Sequence, residues 1–510
     1  MRILPLLFED HTAQNFQPLS WSVPVYELRC GLYNLRERVQ DVIARFGGQD
    51  NEVILEDVGC LPRQYLLPLA EQQPGLQGLE ACRRAVDLAD RVLLFNARLG
   101  PRWDVLAAFC GAGSRLGSNG DGLAWFVDDE LLAVCLDRQL ASSLLADWAA
   151  WEAACTRTNC WQRAEQVAPA WRPGRIFDEW SRRTDCQHGC LLAPESVADS
   201  LLGAVAAVLD YAEAEITPAF EYIWELVQAN GHAIVDDVQK VVAAGRSIAR
   251  FPFGLAADPA LHPEGPIWQR TTGYTAYSPE TVSLPGSAPD LFCPESIWVG
   301  AEVRIEPGVV LDARHGPIVL DSGVRIMPQS YLEGPLYVGP GCLVKSGAKL
   351  YGETSLGIGN KVAGEVGESL FADFVNKQHD GFIGHAVLGN WVNLGAATNC
   401  SDLKNNYGTI RIDLGRGAVD SGLQFAGLLM GEHSKSAIGT LFNTGSCVGL
   451  ACNVFTTGFP QKFLPNFTWG DAGGPLYEVS KAVATARTVL HRRGMVFSAA
   501  HQKLFEFLGS

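Results

Sequence analysis

The chain lacks the features that define several large protein classes. None of its 510 residues fall in a segment long and apolar enough to span a bilayer, which argues against a helical membrane protein. Positive charge is scarce: 40 Lys and Arg stand against 56 Asp and Glu, for a formal net charge of −16. That balance argues against a general nucleic-acid or membrane-surface binder and leaves any phosphate site to local Lys and Arg. Paired cysteines are also missing. The 14 cysteines are scattered singly, mostly in apolar contexts, which points to reduced thiols in a cytoplasmic protein rather than a disulfide framework. Cys186, His188 and Cys190 offer soft metal ligands, but no second pair stands at zinc-finger spacing, and a cysteine-containing loop is the preferred reading. The apolar stretch Ile3 to Phe8 is short, broken by Pro5 and followed by Glu9-Asp10, which fits a first strand rather than a signal peptide.

What is abundant is rhythm. Leu320, Ile326, Leu332, Val338, Val344, Leu350, Leu356 and Val362 stand six residues apart without a break. The same phase runs upstream through Val299, Ile305 and Leu311, with a three-residue insertion near Gly316-Pro317. A period of six suits neither helix nor hairpin; it predicts a parallel β-helix with three short strands per coil and one aliphatic side chain per strand stacked into the interior. After Val362 the rhythm breaks, and the chain is expected to leave the coil through Asn376, Lys377, His379 and Asp380 before re-entering at Ile383-Gly384. Loops thrown from regular scaffolds are where sites concentrate.

The first half reads as α/β. Strand-like runs at Ile3 to Phe8, Val53 to Leu55 and Val92 to Phe95 alternate with helical stretches at Tyr33 to Arg45 and Leu79 to Leu88. One long helix is predicted from Glu195 to Gln228, after Pro194 and before Asn230-Gly231. Pro279, Pro285, Pro289 and Pro294 mark the entrance to the coil, and Val479, Val483, Ala486 and Leu490 predict a helix docked outside it.

Several motifs carry a resemblance. Asn376-Lys377-Gln378-His379-Asp380-Gly381-Phe382, Asn393-Leu394-Gly395-Ala396, Lys404-Asn405-Asn406-Tyr407-Gly408 and Asn443-Thr444-Gly445 resemble the variant branch of the bifunctional GlmU family, as do Leu7-Phe8-Glu9-Asp10 and Pro24-Val25-Tyr26-Glu27-Leu28-Arg29-Cys30-Gly31 near the N-terminus. That family pairs a sugar-1-phosphate uridylyltransferase with a glucosamine-1-phosphate N-acetyltransferase. The resemblance implies a Rossmann-like α/β nucleotidyltransferase domain over 1–194, a helical connection and Pro-rich linker over 195–296, a left-handed parallel β-helix acyltransferase domain over 297–475 and a C-terminal helical tail over 476–510. It also implies acetyl-CoA as acyl donor, UTP and an amino-sugar phosphate as substrates, and a homotrimer.

Acetyl transfer to a sugar amine needs a base for the ammonium proton, an anchor for the phosphate and donors aimed at the oxyanion. His379 matches the family's catalytic base, and its reference pKa near neutrality suits that role. Lys345 stands where commoner members carry a phosphate-contacting Arg; Lys377, Lys404, Asn405 and Asn406 are further candidates for the sugar phosphate. Asn393 matches a sugar-contacting Asn, and Ala396 lies in a turn matching the acyl-donor site. The usual Tyr of the family is Phe382 here, which removes a hydroxyl.

The N-terminal chemistry departs further from the family pattern. The common branch opens with a Gly-rich LxxGxGTRM loop, and this chain reads Leu7-Phe8-Glu9-Asp10; Ala112-Gly113-Ser114-Arg115-Leu116 is read as a loop coincidence. Where the common branch places a metal-binding Asp, the chain reads Phe95-Asn96-Ala97-Arg98. Asp10, Arg29, Gly31, Asn96 and Arg98 are the nucleotide-site candidates, with Asp10 the candidate ligand for Mg²⁺. Two alternatives stay open: a non-catalytic nucleotide-sugar binding or regulatory protein, and an acyltransferase for another sugar.

Overall fold

The computed structural model describes residues 1–47, 54–55, 57–73, 75–116, 122–127, 130–157, 170–171, 182–186, 189–193, 199–210, 219–248, 250, 253–263, 265–269, 273–278, 282 and 288–510. They sort into two compact units. Met1–Gln14, Pro24–Leu28 and Asn34–Glu221 form the first; Asn15–Val23, Arg29–Tyr33 and Tyr222–Ser510 form the second. No helix among the described residues is long and apolar enough to cross a membrane.

The first unit is an α/β structure around one mixed sheet. Its strands are β1 (Arg2–Phe8), β2 (Ile54–Leu55), β3 (Gly59–Leu61), β4 (Leu76–Gln77), β5 (Arg91–Asn96), β6 (Leu123–Val127), β7 (Glu130–Asp137), β8 (Arg182–Cys186) and β9 (Gly189–Ala193). They lie in the order β4-β3-β1-β5-β7-β6-β9-β8, with β2 also beside β1. The pairs within β4-β3-β1-β5 are parallel, and those from β5 to β8 are antiparallel. β1 and β5 are buried almost throughout, as the centre of a parallel sheet covered on both faces must be. The chain moves from β1 to β3 and β4 on one side, then crosses to β5 on the other. That reversal makes the carboxyl ends of β1 and β5 the topological switch point, where open α/β sheets bind ligands.

Immediately after β1 the chain buries a charge. Glu9 is 1% exposed and accepts from Arg63 Nε at 3.1 Å, Arg63 Nη2 at 3.2 Å and Val25 N at 2.8 Å. Arg63 is equally buried, so each charge depends on the other. The segment Ala112–Leu116 is not a loop: it closes the helix Trp103–Arg115, with Leu116 N donating to Ala112 O at 3.0 Å. Buried Val105, Leu106, Phe109 and Ala112 give that helix its inner face.

Among the described residues, the long helix expected from Glu195 to Gln228 is two helices, Asp199–Asp210 and Glu225–Asp237, with bridge, bend and turn conformations within residues 219–224; residues 195–198 and 211–218 lie outside the described residues. The second helix runs straight through Asn230-Gly231, the pair expected to stop it. Asn230 is fully buried there, donating to Glu353 O at 2.7 Å and accepting from Gly31 N at 2.7 Å and Ser355 Oγ at 2.9 Å. Gly231 faces Glu353, whose Cγ would lie 2.7 Å from an added Cβ. Tertiary contacts thus override two helix-stop residues.

From Asp290 to Gly470 the second unit is the predicted parallel β-helix. One face stacks Val299, Leu320, Val338, Leu356, Phe371, Leu388, Met430, Val448 and Leu464 in register. A second stacks Ile305, Ile326, Val344, Val362 and Lys377, and a third Leu291, Leu311, Leu332, Leu350, Val366 and Ile383. The anchors of the six-residue rhythm are at most 1% exposed. Burying each aliphatic side chain contributes about 1.5–3 kcal/mol. Parallel pairing on the third face begins at Asp290–Phe292, between Pro289 and Pro294. The helices Val479–His491 and Ala499–Leu508 follow the coil, the first burying Ala482, Val483, Ala486 and Leu490 as its spacing predicts.

The break after Val362 is not the expected departure from the coil. Asn376–Lys377 is a strand paired in parallel with Lys361–Val362, so the coil shortens and continues. The true excursion comes later. After the strand Asn399–Cys400 the chain runs out through the hairpin of Arg411–Asp413 and Ala418–Asp420 and returns at Leu429–Met430, which pairs with Val387–Leu388. Its two ends are tied at His385, whose Nδ1 lies 2.8 Å from Asp402 Oδ2, whose Nε2 lies 2.5 Å from Glu368 Oε2 and whose ring stacks on Phe425 at 5.0 Å. Burial opposes protonation of His385, but the two carboxylates outweigh it and raise its pKa to about 9.

Candidate functional sites

At the switch point of the first unit, Phe8 pairs with Asn96 and places the next residues of both strands together. Asp10 accepts from Thr12 N at 2.9 Å, from the Thr12 hydroxyl at 2.5 Å and from Asn96 Nδ2 at 2.7 Å. Asn96 Oδ1 accepts from Arg98 N at 3.1 Å, and the Arg98 guanidinium pairs with Glu130. His11 Nε2 lies 3.3 Å from Glu130 Oε1. Burial works against protonation of His11, yet Glu130 and Asp10 raise its pKa overall. Three of the sequence candidates, Asp10, Asn96 and Arg98, therefore meet, joined by His11 and Glu130, for which the sequence held no motif.

Arg29 and Gly31 do not join them; both belong to the second unit. Gly31 N donates to Asn230 Oδ1 and Gly31 O accepts from Ser355 Oγ at 3.0 Å, while an added Cβ would meet Asp237 Oδ2 at 2.5 Å. Its φ of +76° and that contact explain the glycine, which serves packing rather than an open phosphate cradle. The Arg29 guanidinium donates to Leu32 O and lies 6.0 Å from the Tyr337 ring.

The cluster also does not fit Mg²⁺. Asp10 spends its oxygens on Thr12 and Asn96, and Glu130 is matched by Arg98 and His11. No group of three or more His, Cys, Asp or Glu suited to a metal occurs among the described residues. His188 lies outside those residues, as do the side chains of Cys186 and Cys190.

On the β-helix, successive turns bring other candidates together. His379 is exposed, and its turn stacks on that of Ala396: Ala397 N donates to Asp380 O at 3.0 Å. An added Cβ on Gly381, whose φ is +126°, would lie 2.1 Å from Thr398 O, so the motif glycine is what allows this stacking. Phe382 N donates to Asn399 Oδ1 at 2.8 Å, and Asn393 Oδ1 accepts from Asn376 Nδ2 at 2.6 Å. Asn393 and Gln378 line a cavity of ≈ 380 Å³ on this face.

Lys377 is turned inward. It occupies the interior column at 2% exposure, with Nζ donating to Ala363 O and His379 O, both at 2.8 Å. Burial lowers its pKa to about 8. Its ammonium holds the backbone of His379 and is not presented to a ligand. Lys345 lies on an earlier coil, close enough to Lys361 to lower that residue's pKa. Lys404, Asn405 and Asn406 ride on the excursion, where the Lys404 ammonium donates to Thr409 O and Asn406 Oδ1 accepts from Gly408 N at 3.2 Å.

Comparison with known proteins bears on the first unit by residue and on the chain by overall similarity. Residues 5–171 match the family model described as sugar nucleotidyl transferase. The chain is 27% identical over 259 residues to the bifunctional protein GlmU of Azoarcus sp. (strain BH72), covering 46% of this chain and 52% of that protein. It is 30% identical over 127 residues to the bifunctional protein GlmU of Bartonella bacilliformis, covering 23% and 27%. The chain thus spans about half the length of the first relative and about a quarter of the second.

Proposed function

We propose, from the match of residues 5–171 to the sugar nucleotidyl transferase family model and the similarity to GlmU proteins, that the protein acts in amino-sugar nucleotide synthesis. In this reading the β-helix transfers an acetyl group from acetyl-CoA to glucosamine-1-phosphate, with His379 as the base. The observation that supports it is the stacking of the His379–Asp380 turn on the Ala396–Ala397 turn, with Asn393 one strand away. An exposed imidazole there can take the ammonium proton as the amine attacks the thioester carbonyl; the tetrahedral adduct then collapses and releases the CoA thiol. Lys345 holds the sugar phosphate as a point charge, without the bidentate geometry of Arg. Lys404, Asn405 and Asn406 on the excursion are further contacts to the sugar phosphate, and Ala396 faces the acyl donor.

The active form is a homotrimer with the acyl-transfer site shared between neighbouring chains, as flat-faced prisms associate about a three-fold axis. Light scattering at micromolar protein should give a mass three times that of the chain; a monomer mass would remove the shared site.

The first unit binds a nucleotide or nucleotide sugar at the ends of β1 and β5, with uridylyl transfer weak or absent. Asp10 and Glu130 are already committed to protein partners, and the glycine-rich first-strand loop is missing. Incubation with UTP, N-acetylglucosamine-1-phosphate and Mg²⁺ should release little pyrophosphate. Turnover at about 1 to 1000 per second, the ordinary enzymatic range, would show that the site is catalytically complete.

A further inference from the structure

The cavity beside Asn393 is cationic in a chain with a net charge of −16. It lies within the second unit, lined on the coil by Lys361, Asn376, Gln378, Asn393 and Lys435, and on the side of the helix Val479–His491 by Arg492 and Arg493. Its lining contains four cations and no carboxylate. Two cations are partly committed: Lys435 Nζ donates to His433 O at 2.7 Å and Arg493 Nη1 to Gly359 O at 3.2 Å. Lys361 and Arg492 have no acidic partner among the described residues.

Crowding four like charges costs free energy that nothing in the cavity wall returns. Arg493 is the largest influence lowering the Lys361 pKa, followed by burial, Lys345 and Arg492, and burial lowers Lys435 to about 8. The floor is formed by Phe374 and Trp391, stacked at 4.3 Å, with the buried indole N–H of Trp391 lacking an acceptor. An anion with several acceptor oxygens offsets the repulsion among the four cations, while Asn376, Gln378 and Asn393 supply neutral donors. Fixed neighbouring cations favour a group of concentrated charge.

The geometry points to a binding site for a phosphoryl-bearing small molecule, a phosphate monoester or diphosphate, held between Lys361, Lys435, Arg492 and Arg493. It shares Asn393 with the acyl-transfer reading but rests on the four cations of the cavity wall, which that reading does not use.

Calorimetric titration of the full chain with inorganic pyrophosphate tests it, with the Lys361→Met/Arg492→Ala variant beside the parent. The parent should bind one equivalent more than the variant, and that equivalent should weaken as salt is raised. Removing two mutually repelling cations should leave the melting temperature unchanged or higher. Arg492→Ala alone, at an exposed position, should weaken that equivalent by about tenfold, the scale of one charge-assisted hydrogen bond. The His379→Ala variant should bind pyrophosphate as the parent does, which keeps this result separate from any failure of acyl transfer. Uridine monophosphate and glucosamine-1-phosphate serve as competitors: displacement by either supports the site and tells whether a nucleotide or a sugar carries the phosphate. Equal stoichiometry and affinity in parent and variants, no binding to the parent, or displacement by neither competitor would overturn the assignment.

Discussion

Replacing His379 by alanine is expected to lower acetyl transfer from acetyl-CoA to glucosamine-1-phosphate by about 100- to 10,000-fold, the usual scale for a positioned general base. The side chain is exposed and lies outside the interior column, so the substitution leaves the coil intact. Backbone placement of the turn should also survive, because Lys377 holds the carbonyl of residue 379 rather than its ring. Steady-state kinetics separate this loss from a binding defect. Lys345→Ala should raise KM for the sugar phosphate with little change in kcat, since a contact that is uniform through the reaction affects binding alone. Equal activity of His379→Ala and the parent would remove the imidazole from the mechanism.

Arg63→Ala is expected to destabilise the first unit by about 3–5 kcal/mol, the cost of leaving a buried carboxylate without its cation. Glu9 would retain Val25 N as a donor but lose the guanidinium that neutralises it, directly after β1 at the sheet's switch point. Urea unfolding is followed by tryptophan fluorescence, to which Trp148 contributes from beside the pair, its Nε1 donating to Glu9 O at 2.8 Å. The double substitution Glu9→Gln/Arg63→Met should be less damaging than Arg63→Ala, since it removes both charges together. A midpoint within experimental error of the parent for Arg63→Ala would show that water replaces the pair.

The coil was legible because its interior accepts one aliphatic side chain per strand, which forces the six-residue rhythm into the sequence from Val299 to Val362. Legibility ends where a coil shortens. Eighteen residues separate Val344 from Val362, but fifteen separate Val362 from Lys377, so the interior position falls on a lysine. No hydrophobicity pattern identifies an interior lysine whose ammonium is satisfied by two carbonyls. The stop signal at Asn230-Gly231 misled for a related reason: its polarity serves a buried network with Gly31 and Ser355, residues far away in sequence. Asp10, Asn96 and Arg98 could be proposed from motif positions, but His11 and Glu130 needed the sheet order to bring them alongside. Arg492-Arg493 follows a helix carboxyl end, where basic residues are common, so the pair gives no distinct signal until Lys361 and Lys435 are seen opposite it.

The central claim is that the turns carrying His379 and Ala396 form an acetyl-transfer site. The most direct measurement incubates the full chain with acetyl-CoA and glucosamine-1-phosphate, following free CoA thiol and identifying the sugar product by mass spectrometry. The account predicts equal release of thiol and N-acetylglucosamine-1-phosphate at about 1 to 1000 turnovers per second, abolished to within the expected fold-loss by His379→Ala. Folded protein that releases neither thiol nor acetylated sugar would contradict it and favour a non-catalytic nucleotide-sugar binder.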